Sequence, residues 1–475
     1  MIDGAARAGY GERVAKGRNA WTRRLLVIAA ISVYALLLAS GVLPNPLPGI
    51  WEWVGQERPL APDLAWQERL GSRPNAAAVI GDTVTAQAGG RAEVRDRVDG
   101  AALRPTDPPG WEADWLLVTG AGDEAVVVTG ERLSAGYQVR DPATGEVLYE
   151  DEDAVAVWGY REARLDLICD DQRACQVRGF APGSDTPEWT TDLPGRRVGM
   201  QGANPPLAGP RTVDPDRIAG TAAGPPRLPK LLGFPVERRD GDAVAVLDPR
   251  TGDVRQVVSQ GRDEKVIVVG ERVIRSVTTR HNDVCLSTVT AHEVASGEPV
   301  WGPEPYHVWR SAACEQRTPP LSGGAALAVV APDARPVVID ANDGRVLWVG
   351  TPEQSVVALT PELAVIRSQE HGTLSGVTLG GDGTPRWERA AEPDAEVVIT
   401  PYGVVVADRD PSRVYVWDSD SGDILLSVPT GAKVLDCAPD GLVLAGGRSL
   451  GYARFGTGVE GGAPGGDPVA PVEAK

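Results

Sequence analysis

The chain is short of several residue types, and each shortage excludes something. Among 475 residues there are four His, five Cys, two Met and three Phe. His281, His292, His307 and His371 show no ligand spacing and no C-x2-C occurs, so no metal-ligating set can be named. P-loop and HExxH motifs are missing, and no catalytic residue is assigned. Lysine occurs five times against 42 arginines, a usage that fits GC-rich bacterial coding. The net charge of −18 leaves no basic face for phosphate, which argues against nucleic acid as a partner. Past residue 60 no stretch keeps a 3.6-residue apolar period, and this excludes helical repeats.

Turn formers are abundant. The 56 Gly and 40 Pro are scattered, a pattern of many short elements joined by turns. Hydrophobic content of 42 % and charged content of 24 % are those of a globular chain.

The N-terminus differs from the rest. Arg7, Arg13, Lys16, Arg18, Arg23 and Arg24 outnumber Asp3 and Glu12, and residues 25–43 then carry no charge. Nineteen residues at about 1.5 Å each approach the ~30 Å of a bilayer core. This predicts one transmembrane helix over residues 25–43, with a basic cytoplasmic segment at 1–24 and a Pro-rich linker at 44–61. The basic flank predicts a cytoplasmic N-terminus and everything beyond the linker outside, a single-pass protein of the cell membrane. A signal peptide cleaved near Ala39-Ser40-Gly41 is the alternative.

The cysteines all follow this segment. Cys169 and Cys175 flank DDQRA between two alternating apolar runs, so a hairpin would bring them together as a disulfide. Cys285 and Cys314 form the second expected pair. Cys437 is left over, a small buried hydrophobe in its plainest role.

One pattern repeats: an alternating run, an acidic turn ending in Gly, then a large residue four positions on. VRDPATGEVLY, AVLDPRTGDVRQ, AHEVASGEPVW, VVIDANDGRVLW, TLGGDGTPRW and YVWDSDSGDILL are its clearest copies. GFAPGSDTPEW is degenerate, with Asp185 in the Gly place, and DRVDGAALR near Gly100 is weaker. The turn positions Gly100, Gly145, Asp185, Gly252, Gly297, Gly344, Gly383 and Gly422 are 39 to 47 residues apart, save one interval of 67 that holds a Pro- and Gly-rich insertion at residues 193–228. That period, built of strands, is the period of a four-stranded propeller blade. DSDSGD and DANDGR look like calcium loops, but their Gly falls at position 5 rather than 6 and no Glu follows at position 12. They read as hairpin turns.

The unit [AVI]-x-D-x-x-[TSD]-G-x-x-x-W resembles the pyrroloquinoline-quinone-like (PQQ-like) β-propeller repeat, over residues 62–456. It is similar above all to the membrane-anchored, non-enzymatic type, such as the outer-membrane assembly scaffold propellers. Gln256 and Leu426 depart from it at the Trp position. The resemblance implies an all-β propeller of four-stranded blades. Eight blades are expected, with seven as the alternative, and a last blade built from both chain ends through LAWQERL. Residues 457–475 read as a disordered tail. It also implies an extracytoplasmic scaffold, without catalysis or cofactor, that binds a protein or a cell-envelope component. The alternative is a PQQ-dependent quinoprotein oxidoreductase. In that family the resemblance would imply two adjacent cysteines, and this chain has none. Trp158, Trp309 and Trp417 are candidates to line a funnel, with packing between blades as their other reading.

Overall fold

A computed structural model describes residues 59–103, 110–131, 135–171, 174–195, 198, 216–281, 284–308 and 320–456. The described chain is nearly all strand, and its two helical pieces are short 3-10 turns at Gly122–Glu124 and Gly220–Ala223.

The strands form nine antiparallel sheets, eight of four strands and one of three. In chain order the sheets begin at Pro74–Ile80 (blade 1), Trp115–Thr119 (blade 2), Ala154–Gly159 (blade 3), Leu232–Arg238 (blade 4), Glu264–Val269 (blade 5), Ser322–Gly323 (blade 6), Gln354–Leu359 (blade 7), Glu396–Thr400 (blade 8) and Lys433–Ala438 (blade 9). Blade 9 is composite. Its outer strand is Trp66–Arg69, from the other end of the chain, paired antiparallel with Ser449–Arg454.

The ring closes through its core. Nine apolar clusters occur, and each joins two neighbouring sheets. Ala77 and Ala86 of blade 1 meet Leu435 and Tyr452 of blade 9. Ala78 meets Leu116 and Val127 of blade 2. The series runs on through blades 2–3, 3–4, 4–5, 5–6, 6–7, 7–8 and 8–9. A sheet buried on both faces needs apolar residues at successive positions, which is why runs such as Val404-Val405-Val406 read as continuous rather than alternating. The fold is a nine-bladed β-propeller.

The repeat motif builds the joints. In blade 6, Asp340 begins the turn and its Oδ1 accepts the Asn342 amide at 2.8 Å. Gly344 ends it with φ +75°, a left-handed conformation that disfavours a side chain. The bare Gly344 surface receives the indole of Trp301 from blade 5, and a Cβ there would lie 2.8 Å from that ring. The indole Nε1 donates to the Ala341 carbonyl at 2.9 Å, three residues before the glycine. The same joint recurs with Trp387 on Gly422 and with Trp66 on Gly100, donating to Ser419 and Arg97.

The degenerate copies use other contacts. Between blades 2 and 3, Tyr149 takes the Trp position and packs on Phe180. Buried Arg164 lies over Tyr137, Tyr149 and Phe180, and donates to the Pro182 and Ser184 carbonyls of the Asp185 turn at 2.6 and 2.8 Å. Behind it, Arg178 bridges Asp151 and Asp166 at 2.7 and 2.5 Å.

Two expectations are corrected. The ring has nine blades, not eight or seven. The weak Gly100 unit is a full blade whose signal is faint because its fourth strand is only Trp111–Glu112. The insertion-bearing unit, blade 4, keeps three strands and packs on both neighbours. The second correction concerns the anchor. No helix among the described residues is long and apolar enough to cross a membrane, and residues 25–43 lie outside the described residues. The single-pass anchor and the cell-membrane placement, with the propeller extracytoplasmic, rested wholly on the hydropathy of those nineteen residues and are withdrawn. Segments 1–24 and 457–475 lie outside the described residues as well.

Cys169 and Cys175 are bonded and pair directly in register at the end of a blade 3 hairpin. Cys285 is also disulfide-bonded, while Cys314 lies outside the described residues.

Gly344→Ala is expected to cost about 2–4 kcal/mol, the sum of a left-handed alanine and a displaced indole. Gly447→Ala has open space and a similar φ, and should cost only about 1–2 kcal/mol. Thermal melts of the two variants check this, and equal losses would refute the joint. Replacing both Cys169 and Cys175 by Ser should cost about 2 kcal/mol, as expected for so short a loop. The melting point of the double variant against that of the wild type, both without reductant, checks it.

Candidate functional site in the central channel

The first strands of successive blades face the axis, where those of blades 9, 1 and 2 wall a cavity of about 1030 Å³. Blade 4 departs from the others. Gly252 lies between its last two strands as Gly145 does in blade 2, so the strand it lacks among the described residues is the innermost one.

The insertion that precedes blade 4 crosses the ring. At one end Glu396 of blade 8 accepts the amides of Arg217 and Ile218 at 2.6 and 3.1 Å. Ile218 forms a parallel bridge with Val434, the inner strand of blade 9. Thr221 Oγ1 donates to the Leu435 carbonyl. At the other end the Pro226 carbonyl accepts the Arg161 amide of blade 3 at 2.9 Å, and Glu162 accepts the Leu228 amide at 2.6 Å. The segment is therefore a strap from blades 8 and 9 to blade 3. Its residues Ala219 to Pro226 form one wall of the cavity, and no lining residue comes from blades 4 to 7.

Asp436 and Cys437 also line the cavity, on the inner strand of blade 9. A bulge between Val434 and Asp436 shifts the register and turns Asp436 toward blade 1, where its Oδ2 accepts the Val79 amide at 2.6 Å. Oδ1 accepts the Cys437 amide at 2.9 Å. Burial pushes the Asp436 carboxyl up to about 8, against the pull of those two amides. At neutral pH it is mostly uncharged. Burial also pushes the Cys437 thiol up to about 12, so it is not a thiolate nucleophile. Its Sγ–H points to the Ala438 carbonyl, 3.8 Å away, rather than to a base.

The cations on the wall differ in their partners. Arg97 is held by Asp82 at 3.0 Å and by Asp440, which also accepts the Tyr452 hydroxyl at 2.6 Å. Arg161 donates through Nε to the Pro225 carbonyl at 3.1 Å and pairs with no carboxylate among the described residues. Tyr402 reaches the same space from blade 8. Burial first, and then Asp436 and Cys437, raise its hydroxyl, while Arg161 opposes the rise.

The residues singled out by sequence lie elsewhere. Trp158 is buried edge-on to Phe234 between blades 3 and 4, and Trp417 edge-on to Trp387. Neither lines the cavity, and Trp309 lies outside the described residues. The Cys169–Cys175 bridge is not on its wall either. His292 Nδ1 lies 3.0 Å from the Gly297 carbonyl of its own turn. Among the described residues no group of three or more His, Cys, Asp or Glu is arranged to hold a metal ion. Asp436, Arg161 and the strap were missed. The one available signal was an acid inside the apolar run KVLDCA.

No family model and no curated protein matches the chain. Solved structures similar to it include BamB from Moraxella catarrhalis, at 12 % identity over 72 % of this chain and 94 % of that one, with a TM-score of 0.37. Sqt1 from Saccharomyces cerevisiae is 11 % identical over 82 % of this chain and 98 % of that one, TM-score 0.40. Apo AztD from Citrobacter koseri is 11 % identical over 81 % and 99 %, TM-score 0.37. The fold assignment stands on the sheet order and the closed core.

A prediction follows from Asp436. Its folded-state pKa is raised, so the stability it contributes is fully present below the ordinary carboxyl range and is lost progressively as pH rises from there through about 8. Asp436→Asn cannot ionise, and it gives up one of two acceptors, a loss of about 1–3 kcal/mol. The advantage of the wild type over Asp436→Asn should be greatest near pH 4 and fall steadily as pH rises to about 8, levelling off above that. A gap independent of pH would refute the assignment.

Proposed function

We propose that this protein is a non-catalytic binding propeller of the PQQ-like repeat type that docks a protein partner with a basic surface. The carrying observation is how the topology sorts charge. In an antiparallel blade the turn between strands one and two and the turn between strands three and four fall on the same face. All the acidic repeat turns are of the latter kind, so Asp99, Glu146, Glu298, Asp343, Asp382 and Asp423 stand exposed around one face of the ring. Turns between first and second strands add Asp82, Glu162 and Glu362 to it. The opposite face is mixed, with Arg73, Arg335, Arg409 and Arg448 set among Asp333, Glu370 and Glu392.

In several of these turns the first Asp is spent on the backbone. Asp141 accepts the Ala143 and Thr144 amides, and Asp418 those of Asp420 and Ser421. The later acids are exposed on rigid turns, where Asp99, Asp343 and Asp382 also accept the Ala101, Arg345 and Thr384 amides, so a partner meets them without an ordering cost. Arg250 and Arg345 are exposed on the same turns, so the face carries an excess of acids rather than acids alone, and such an excess speeds encounter with a partner of opposite charge. The Trp-on-Gly joints support the PQQ-like reading. The quinoprotein reading finds no such support. Its adjacent cysteines are missing, and the acids of the repeat turns are committed to turn amides or to solvent.

Photo-crosslinking in the native cell tests the reading, with benzoylphenylalanine at Glu146, Glu298 or Asp382 and, as controls, at Asp333 or Glu370. Adducts with one basic protein are expected from the first set, and should disappear when the two remaining acids of that set are changed to Lys. Adducts from the controls alone, or from none of the five, would overturn it.

A further inference from the structure

The cavity beside the strap has a use that docking on the acidic face does not require. Its wall is largely apolar: Val79 and Ile80 of blade 1, Leu117 and Val118 of blade 2, and Pro225 and Pro226 of the strap. Its size is at the upper end of the range for sites that enclose small organic molecules. Into this surrounding projects the guanidinium of Arg161. Both its backbone and its side chain are tied to the strap, the Arg161 amide donating to the Pro226 carbonyl and Nε to the Pro225 carbonyl. The side chain is therefore held in place before any ligand arrives.

Arg97, the neighbouring cation, shows the usual arrangement in this acidic protein, with a carboxylate on either side. Arg161 has none among the described residues, and the adjacent Glu162 is turned away onto the Leu228 amide. The acids that also border the cavity offer little competition. Asp82 and Asp440 are bound to Arg97, and Asp114 and Asp123 are exposed at the rim, where water screens them. Asp436 is engaged by two amides and is mostly uncharged at neutral pH. A half-buried arginine without a carboxylate, above an apolar wall, is matched by an acid group on a hydrocarbon or aromatic body.

We propose that this cavity binds a small amphipathic organic anion, its acid group on Arg161 and its apolar body against Val79, Ile80, Leu117 and Pro226. Such a ligand would span the strap, blade 3 and blades 1 and 2. It would tie the segment that crosses the ring to the walls on either side.

The test uses the whole chain and 8-anilinonaphthalene-1-sulfonate as the probe, followed by its emission and by calorimetry. N-phenyl-1-naphthylamine, the same body without the sulfonate, is the comparison. One saturable site is expected. Arg161→Gln should weaken the sulfonate about ten- to a hundredfold, the range for a lost charge-assisted hydrogen bond, and leave the uncharged analogue within about twofold. Ala121→Trp, on an exposed loop at the cavity wall, should weaken both probes, and Arg335→Gln, on the opposite face, neither. Arg161→Lys keeps the charge and should retain most of the sulfonate affinity. It also serves as the folded reference if Arg161→Gln loses its far-ultraviolet dichroism. No saturable site, equal affinity for the two probes, or an Arg161→Gln variant within twofold of wild type for the sulfonate would overturn the proposal.

Discussion

The contact on which the structure rests is a tryptophan of one blade lying on a bare glycine of the next. It is specific because both halves are needed. The glycine takes a left-handed backbone that suits a residue without Cβ, and the indole fills the space the Cβ would occupy, as Trp301 does at Gly344. The indole N–H then finds a carbonyl in the same turn. The repeat thus encodes a relation between neighbours rather than a self-sufficient unit, and a single blade could not bury its own faces. Where the motif degenerates the joint is kept by other means, most fully at the Arg164 cage between blades 2 and 3.

Closing the ring poses a separate problem, because the covalent chain ends at blade 9. The seam there carries several independent ties. Trp66 from the N-terminal side stacks on Tyr452. Asp440 takes both Arg97 and the Tyr452 hydroxyl. Asp436 reaches across to Val79. Two of these ties, Arg97 to Asp440 and Val79 to Asp436, rest on carboxyl groups, so the seam is sensitive to protonation.

The architecture was legible in the sequence where local chemistry is periodic. The Asp-to-Gly turns, the large residue four positions on and the lone LAWQERL strand all stand where the spacing puts them. Blade number was misread because a two-residue strand at Trp111–Glu112 and a blade with three strands among the described residues leave weak periodic signals. The cavity was not legible at all. Asp436 is aimed by a bulge, which alternation cannot foresee, and its partner Val79 is 357 positions away. The strap has no period, and its contacts to Glu396 and Val434 depend on ring closure.

A propeller in which each blade touches only two neighbours behaves as a closed one-dimensional array, free to flex along its weakest joint. The strap changes that. By fastening the chain between blades 3 and 4 to the inner strands of blades 8 and 9, it acts as a chord of the circle. A chord converts a flexible hoop into two smaller, braced loops, and opening at the seam must also strip Ile218 from Val434. The two arcs are therefore mechanically unequal. One, blades 9, 1 and 2, is short and shares a wall with the brace; the other, blades 4 to 7, is longer and lines none of that wall. Elliptical distortion of the ring should fall mainly on the longer arc.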